Sequence, residues 1–372
     1  RNSPPHPMIV SEYGAGSDKR LHSLNPRAFD FSIEYQQKFL EHYLPILENT
    51  PYVCGGTHWN FIDFSSALRD ESMPRINNKG LAYSDRTPKD VFYYYKAAWR
   101  KDIPVLHIPS RDWIYRTGIQ QGDSSVLLPV KIYTNLPEVE LSIDGKSLGR
   151  QQVDNYTAIF KAPFSSKEPL LLVQGNYQGT TVQDGIKVHF TPIPTNLNST
   201  GLKDLELAAN VGSQCFYTSD ESRLTWLPDQ PYTKGSWGYI GGKELSTQTE
   251  IRRTADGPLF QTLRNGIEGY RFDVPRGVYE VELLFTDIFL QNEGIAYQLG
   301  REGEQKSREN TFGISVNGKM LEEKLSPCKE SGYCQAMRKK YIITNDTDHI
   351  DIRFHPASGT CFLNGIKLRN IH

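Results

Sequence analysis

The sequence predicts a multidomain chain: βα units of the kind that build a (β/α)8 barrel, then two all-β domains. Three observations carry this. At 372 residues the chain exceeds what one hydrophobic core commonly serves, so two or three domains are expected. Apolar residues recur at helical spacing between short runs over residues 1–102, and alternate from there on. Tyrosine (20) and phenylalanine (17) are plentiful while methionine (4) is scarce, a balance that suits strands better than a helical bundle.

Residues 1–102 read strand, helix, strand, helix. Met8-Ile9-Val10 is a buried parallel-type strand. Ile33, Gln36, Phe39, Leu40, Tyr43 and Leu44 fall on one helical face, with Asp30 or Ser32 placed to cap it. Tyr52-Val53-Cys54 begins the next strand, and Gly55 and Gly56 let a neighbouring backbone approach. Thr87-Pro88-Lys89-Asp90 opens the second helix with a capping threonine, a proline at the first helical position and an acid three residues on. Its apolar stripe is Val91, Tyr94, Tyr95, Ala98 and Trp99.

Residues 103–194 carry short alternating runs at Val130-Tyr133, Val139-Ile143, Ala158-Phe160 and Leu170-Val173, with a tight hairpin at Asp144-Gly145. Strands with regular turns and no helix describe a small β-sandwich, immunoglobulin-like in outline. Thr191-Pro192-Ile193-Pro194-Thr195-Asn196 reads as a proline-stiffened linker. Residues 195–372 form a second all-β domain, with strands at Val278-Phe285, Ile314-Val316, His349-Phe354 and Gly365-Leu368 and a hairpin at Asn317-Gly318.

The near-neutral charge (42 basic against 43 acidic residues) steers the chain toward neither nucleic acid nor an anionic membrane. No apolar run approaches the roughly 20 residues that span a bilayer. Five cysteines at scattered spacing do not make a disulfide framework; Cys328 and Cys334 either close a small loop in an oxidising compartment or stay free. Together with His349 and His355 they match no standard zinc spacing, so neither metal nor cofactor is expected. Sequons stand at Asn155, Asn198 and Asn345.

The chemistry gathers at strand ends. Glu12 ends the first apolar run and Trp59 the second, and side chains at the carboxyl ends of barrel strands share one pocket. A carboxylate beside an indole suits a sugar, whose axial C–H groups stack on the ring while an oxygen attacks the anomeric carbon. The bland alternative for Glu12 is an ordinary exposed or salt-bridged glutamate.

The runs I-V-S-E-Y-G-A-G at Ile9 to Gly16, L-H-S around His22, W-N-F-I-D-F at Trp59 to Phe64 and N-N-K-G-L-A-Y-S-D-R-T-P-K at Asn77 to Lys89 resemble glycoside hydrolase family 2. This is the family of β-galactosidases, β-glucuronidases and β-mannosidases. The resemblance implies that Glu12 is the nucleophile at the end of barrel strand seven and Trp59 the sugar platform at the end of strand eight. It implies retaining hydrolysis of a terminal β-linked sugar, with a second carboxylate roughly 5–5.5 Å from the nucleophile. In the family that acid/base glutamate follows an asparagine upstream of the nucleophile, and no such pair lies in the eleven residues before Glu12. The chain therefore reads as the C-terminal part of a longer enzyme, needing the remainder of its barrel as partner and expected to lack turnover alone. A targeting segment is expected upstream of Arg1, with a periplasmic or secreted bacterial location; a homo-oligomer is left open.

On the sugar, the resemblance points two ways. Ala15 stands where classical β-galactosidases carry a histidine, and Asn77-Asn78-Lys79 fits the N-x-K pattern with which β-glucuronidases grip the substrate carboxylate. Similar Asn-x-Lys-Gly segments occur in galactosidases of this layout, and a turn with a solvated lysine is the bland reading. A β-galactosidase is expected ahead of a β-glucuronidase, with a non-catalytic carbohydrate-binding tail as the rival class. The segments at Tyr232 to Gly242, Gly277 to Asp287, Phe312 to Lys319 and Phe362 to Leu368 resemble malectin-like carbohydrate-binding domains. That resemblance implies an oligo- or polysaccharide partner met by Trp237 and Tyr239, with Tyr217 and Asp287 behind them; the competing reading makes these residues core or loop anchors.

Overall fold

The computed structural model describes residues 6–120, 125–198, 205–289 and 309–371. The first five residues lie outside them. The chain gathers into two compact units, one comprising Arg1–Arg69 and Met73–Ile193, the other Asp70–Ser72 and Pro194–His372.

In the first unit, strands Met8–Tyr13 and Val53–His58 pair in parallel, with Tyr13 beside His58 at their carboxyl ends. Among the described residues no closed barrel forms. Helix Ile33–Asn49 begins as expected: Ser32 is its N-cap, and its hydroxyl accepts from the Tyr35 amide at 3.1 Å. Leu40 and Leu44 of this helix pack with Tyr13 and with Val91, Tyr94 and Tyr95 of helix Asp90–Trp99. The second helix starts later than its sequence signals suggest. Lys89 rather than Thr87 occupies the N-cap position and gives no side-chain cap, because an ammonium only donates hydrogen bonds and cannot accept from the helix amides.

The same unit continues into two facing sheets. One orders Lys146–Gln152, Glu138–Ile143, Leu170–Tyr177 and Thr180–Lys187; the other orders Thr157–Phe164, Val126–Thr134 and Leu106–His107. Alternate residues such as Leu128, Val130, Leu141 and Val173 fill the space between them. Asp144 and Gly145 link Ile143 to Lys146 with φ of 50° and 78°, the left-handed pair that a two-residue hairpin requires.

The second unit is a two-sheet sandwich. Six strands run in the order Phe216–Thr218, Thr225–Pro228, Glu206–Asn210, Gly365–Asn370, Gly277–Phe285 and Met337–Asn345. The opposing sheet contains Trp237–Ser246, Thr262–Phe272, Ile350–Ser358, Thr311–Val316 and Lys319–Leu325. Phe285 of the first sheet meets Phe312 of the second, ring centroids 5.9 Å apart, in a core that also holds Val281, Leu283 and Ile352. No helix among the described residues is long and apolar enough to cross a membrane.

Candidate active site

Strand alternation aims the two key side chains. Tyr13 turns into the helix-side core, where its hydroxyl bonds that of Tyr95 at 2.7 Å. Glu12, its neighbour, therefore faces the other side of the parallel pair, where it is exposed and without a partner among the described residues. Trp59 follows the second strand directly, and its amide donates to the Tyr13 carbonyl at 2.8 Å. Its indole is 40% exposed and stands edge-on to Phe64.

A third loop joins these strand ends. The Lys79 carbonyl accepts from the Asn60 amide at 3.3 Å and lies 2.9 Å from His58 Nε2, which fixes His58 as the Nε2–H tautomer. Asn77 pairs with Phe64 and its side-chain oxygen accepts from the Lys79 amide at 3.3 Å. Asn77 is buried, whereas the Lys79 ammonium is half-buried and free of partners among the described residues. Burial pulls the His58 imidazole down to about 4; its bond to the Lys79 carbonyl opposes that shift and the Lys89 charge adds to it.

The scaffold beneath these loops escapes sequence reading. Lys89 is 1% exposed, and its ammonium reaches both Asp63 oxygens at 2.9 Å and the Asn78 carbonyl at 2.9 Å. Burial pulls the Lys89 ammonium below its ordinary value and pushes the Asp63 carboxyl above its own, while each partner opposes the other's shift. Asp63 also accepts from the Gly80 amide at 2.8 Å. Gln36, buried on the helix face, donates to the carbonyls of Ala15 at 3.0 Å and Gly80 at 3.2 Å, and accepts from Ser17 at 2.8 Å. Gly14 has no room for a side chain: a Cβ there would lie 2.2 Å from the Trp59 carbonyl oxygen. The one sequence signal was a polar residue, Gln36, on an otherwise apolar stripe.

Burial corrects three of the four glycan-facing residues expected in the second unit, Trp237, Tyr217 and Asp287. Trp237 is fully buried and stacks near Tyr270, so no face of its indole is left for a sugar. Tyr217 is fully buried, its hydroxyl donating to Asp256 at 3.0 Å. Asp287 is fully buried, accepts from the Phe289 amide and the Asn310 side chain, and has its carboxyl pushed up by burial. Tyr239 is half-buried and one ring face carries the Arg264 guanidinium, 3.2 Å from the centroid. These aromatics complete the core and anchor loops, as their apolar area favours. Cys328 and Cys334, weighed as a bridge, are both free thiols.

Comparison with known proteins follows the same division. Residues 1–103 match the TIM barrel domain of glycosyl hydrolases family 2, residues 126–180 a domain of unknown function (DUF4982), and residues 205–368 the malectin domain. A solved structure of Bacteroides uniformis β-glucuronidase 2, covalently bound to cyclophellitol-6-carboxylate aziridine, is 74% identical with a TM-score of 0.91, covering 99% of this chain and 42% of that one. The β-glucuronidase of Bacteroides fragilis is 32% identical over 164 residues, 41% of this chain and 23% of the relative. That of Rattus norvegicus is 40% identical over 99 residues, 25% of this chain and 14% of the relative. The chain thus spans less than half the length of each. All three are named β-glucuronidases, so the relatives favour the second of the two sugars weighed above over the first. The chain is thus similar to glycoside hydrolase family 2 through residues 1–103 and to the malectin domain through residues 205–368.

Proposed function

We propose that the protein is a retaining β-glucuronidase to which this chain contributes the nucleophile side of the site. The Glu12 carboxylate attacks the anomeric carbon, and the bond to the leaving oxygen breaks as a second carboxylate from outside residues 1–103 protonates that oxygen. The resulting glycosyl ester on Glu12 is hydrolysed by water that the same second group deprotonates. Trp59 offers its indole to the ring's C–H face. The Lys79 ammonium and Asn77 amide receive the glucuronate carboxylate, a charge-assisted contact that a neutral hexose cannot make. The same reading puts the enzyme in the periplasm or outside the cell, where glucuronic-acid glycans are met.

One observation carries the proposal. The bonds from Trp59 to Tyr13 and from His58 and Asn60 to Lys79 tie three loops at one strand end, while the Glu12 and Lys79 charges stay unpaired there. Relatives named β-glucuronidases support the choice of sugar. The test is hydrolysis of nitrophenyl β-glucuronide and β-galactoside by the full-length natural protein. The glucuronide is expected to be the better substrate, and Glu12→Gln to lower its turnover about a thousandfold or more. Equal or preferred cleavage of the galactoside removes the carboxylate-binding role from Lys79; retained turnover in Glu12→Gln removes the nucleophile.

A further inference from the structure

The second unit holds a cavity of about 570 Å³ apart from every residue assigned above. That volume lies within the roughly 300–1,000 Å³ typical of small-ligand sites. Its floor is the outward face of the six-strand sheet, opposite the side that carries Val281, Leu283 and Phe285 into the core.

A cross-strand row of charge lies on that floor. Glu282 is opposite Lys340 on one neighbouring strand and Lys367 on the other. Although Glu282 is only 3% exposed, three cations surround its carboxylate: Lys367 at 3.1 Å, Arg338 at 3.5 Å and Lys340 at 3.9 Å. Asp256 takes a share of Arg338 at 2.8 Å. It is itself already committed to the Tyr217 hydroxyl at 3.0 Å. Arg253 stands on the wall, exposed and without a hydrogen bond or ion pair to any described residue. Four basic side chains line the space against three acidic ones, and the third acid, Glu221, is exposed on the loop before Thr225–Pro228. Ordinary surface pairing matches charges one to one. Lys367 is also shared with Glu206 at 3.7 Å, so the unpaired charge is that of Arg253, held in a partly enclosed cleft where water screens it less than on open surface. The hydroxyls of Ser219, Ser222 and Thr254 share the lining with Leu224, a mixture suited to a polyol.

We propose that this cavity binds an acidic saccharide, with its carboxylate held by Arg253, Arg338 and Lys340 and its hydroxyls met by the serine and threonine side chains. The choice of a sugar acid rests on the β-glucuronidase reading; the anion preference rests on the charge arrangement alone. Such a site would hold the same polymer whose terminal residue the Glu12 site removes.

The test is calorimetric titration of the full-length natural protein carrying Glu12→Gln and Lys79→Ala, which silence hydrolysis and the carboxylate contact of the Glu12 site. Cellobiouronic acid and cellobiose are the probes, since they differ in one carboxylate against one hydroxymethyl group. Cellobiouronic acid is expected to bind at least about tenfold more tightly than cellobiose. Arg253→Ala/Lys340→Ala, both exposed positions, is expected to remove that margin without lowering the melting temperature. Equal affinity for the two sugars, or an acid affinity untouched by the Arg253→Ala/Lys340→Ala pair, overturns the proposal; so does binding of sulfate without binding of either sugar. Absence of binding in a protein whose unsubstituted form still hydrolyses the glucuronide overturns this site and leaves the Glu12 reading standing.

Discussion

His58 is the residue through which pH reaches the candidate site. Its Nε2–H holds the Lys79 carbonyl, and its Nδ1 is buried with no partner among the described residues. Burial lowers its folded value to about 4, from 6.5 for the free side chain. Between those values the unfolded chain binds the extra proton and the folded chain does not, so stability is full above about 6.5 and drains away as pH falls toward 4. The expected loss is up to about 3 kcal/mol, less a share for the part of the ring that water reaches. Urea midpoints measured between pH 7 and pH 4 check this. His58→Gln should flatten that part of the profile, and an unchanged slope would mean the imidazole is already solvated. Sequence alone placed Glu12 and Trp59 at strand ends, because a short apolar run that ends in a functional side chain is a local pattern, whereas Asn77 and Lys79 stood out only through the N-x-K resemblance. It did not flag His58, one residue before Trp59, whose role depends on a carbonyl from a loop 21 residues on.

At the scale of elements, the Lys89–Asp63 pair joins the start of helix Asp90–Trp99 to the loop after strand Val53–His58. Removing one partner leaves the other buried and charged. Lys89→Met is therefore expected to cost about 3–5 kcal/mol and to lower glucuronide turnover by misplacing the Asn77–Lys79 loop. Adding Asp63→Asn should recover part of the stability, since an amide oxygen can still accept from Gly80 without carrying charge. Chemical denaturation of the two variants reads both effects, and equal stability of Lys89→Met and the parent chain would deny the pair any structural role. Thr87-Pro88-Lys89 looks like a capping signal by composition. The deeper demand on Lys89 comes from a carboxylate 26 residues away, which periodicity cannot register. Ser32, by contrast, caps its helix through an amide three residues on, and local chemistry sufficed.

For the whole molecule, legibility follows the range of the interaction that decides each feature. Hairpins at Asp144-Gly145 and Asn317-Gly318 depend on two backbone angles and are present as read, with positive φ at all four residues. The alternating runs became strands because alternation itself creates a buried face. What failed was the choice among aromatics in loop-like sequence. Trp237 and Tyr217 belong to glycine-rich or polar stretches, yet both are buried, since Tyr270 on the neighbouring strand and Asp256 39 residues on supply partners that no local window contains. The basic cleft around Glu282 was invisible for the same reason: its charges lie on three strands and meet only after the sheet has formed.

The central claim is that Glu12 forms a bond to the anomeric carbon of a sugar whose carboxylate lies by Lys79. Labelling the full-length natural protein with a carboxylate-bearing cyclophellitol aziridine, then locating the adduct by peptide mass spectrometry, tests it most directly. A single adduct on Glu12, weakened at least about tenfold in rate by Lys79→Ala, is the expected result. An adduct on another residue, or labelling as fast with the uncharged cyclophellitol aziridine as with the carboxylate, would contradict it.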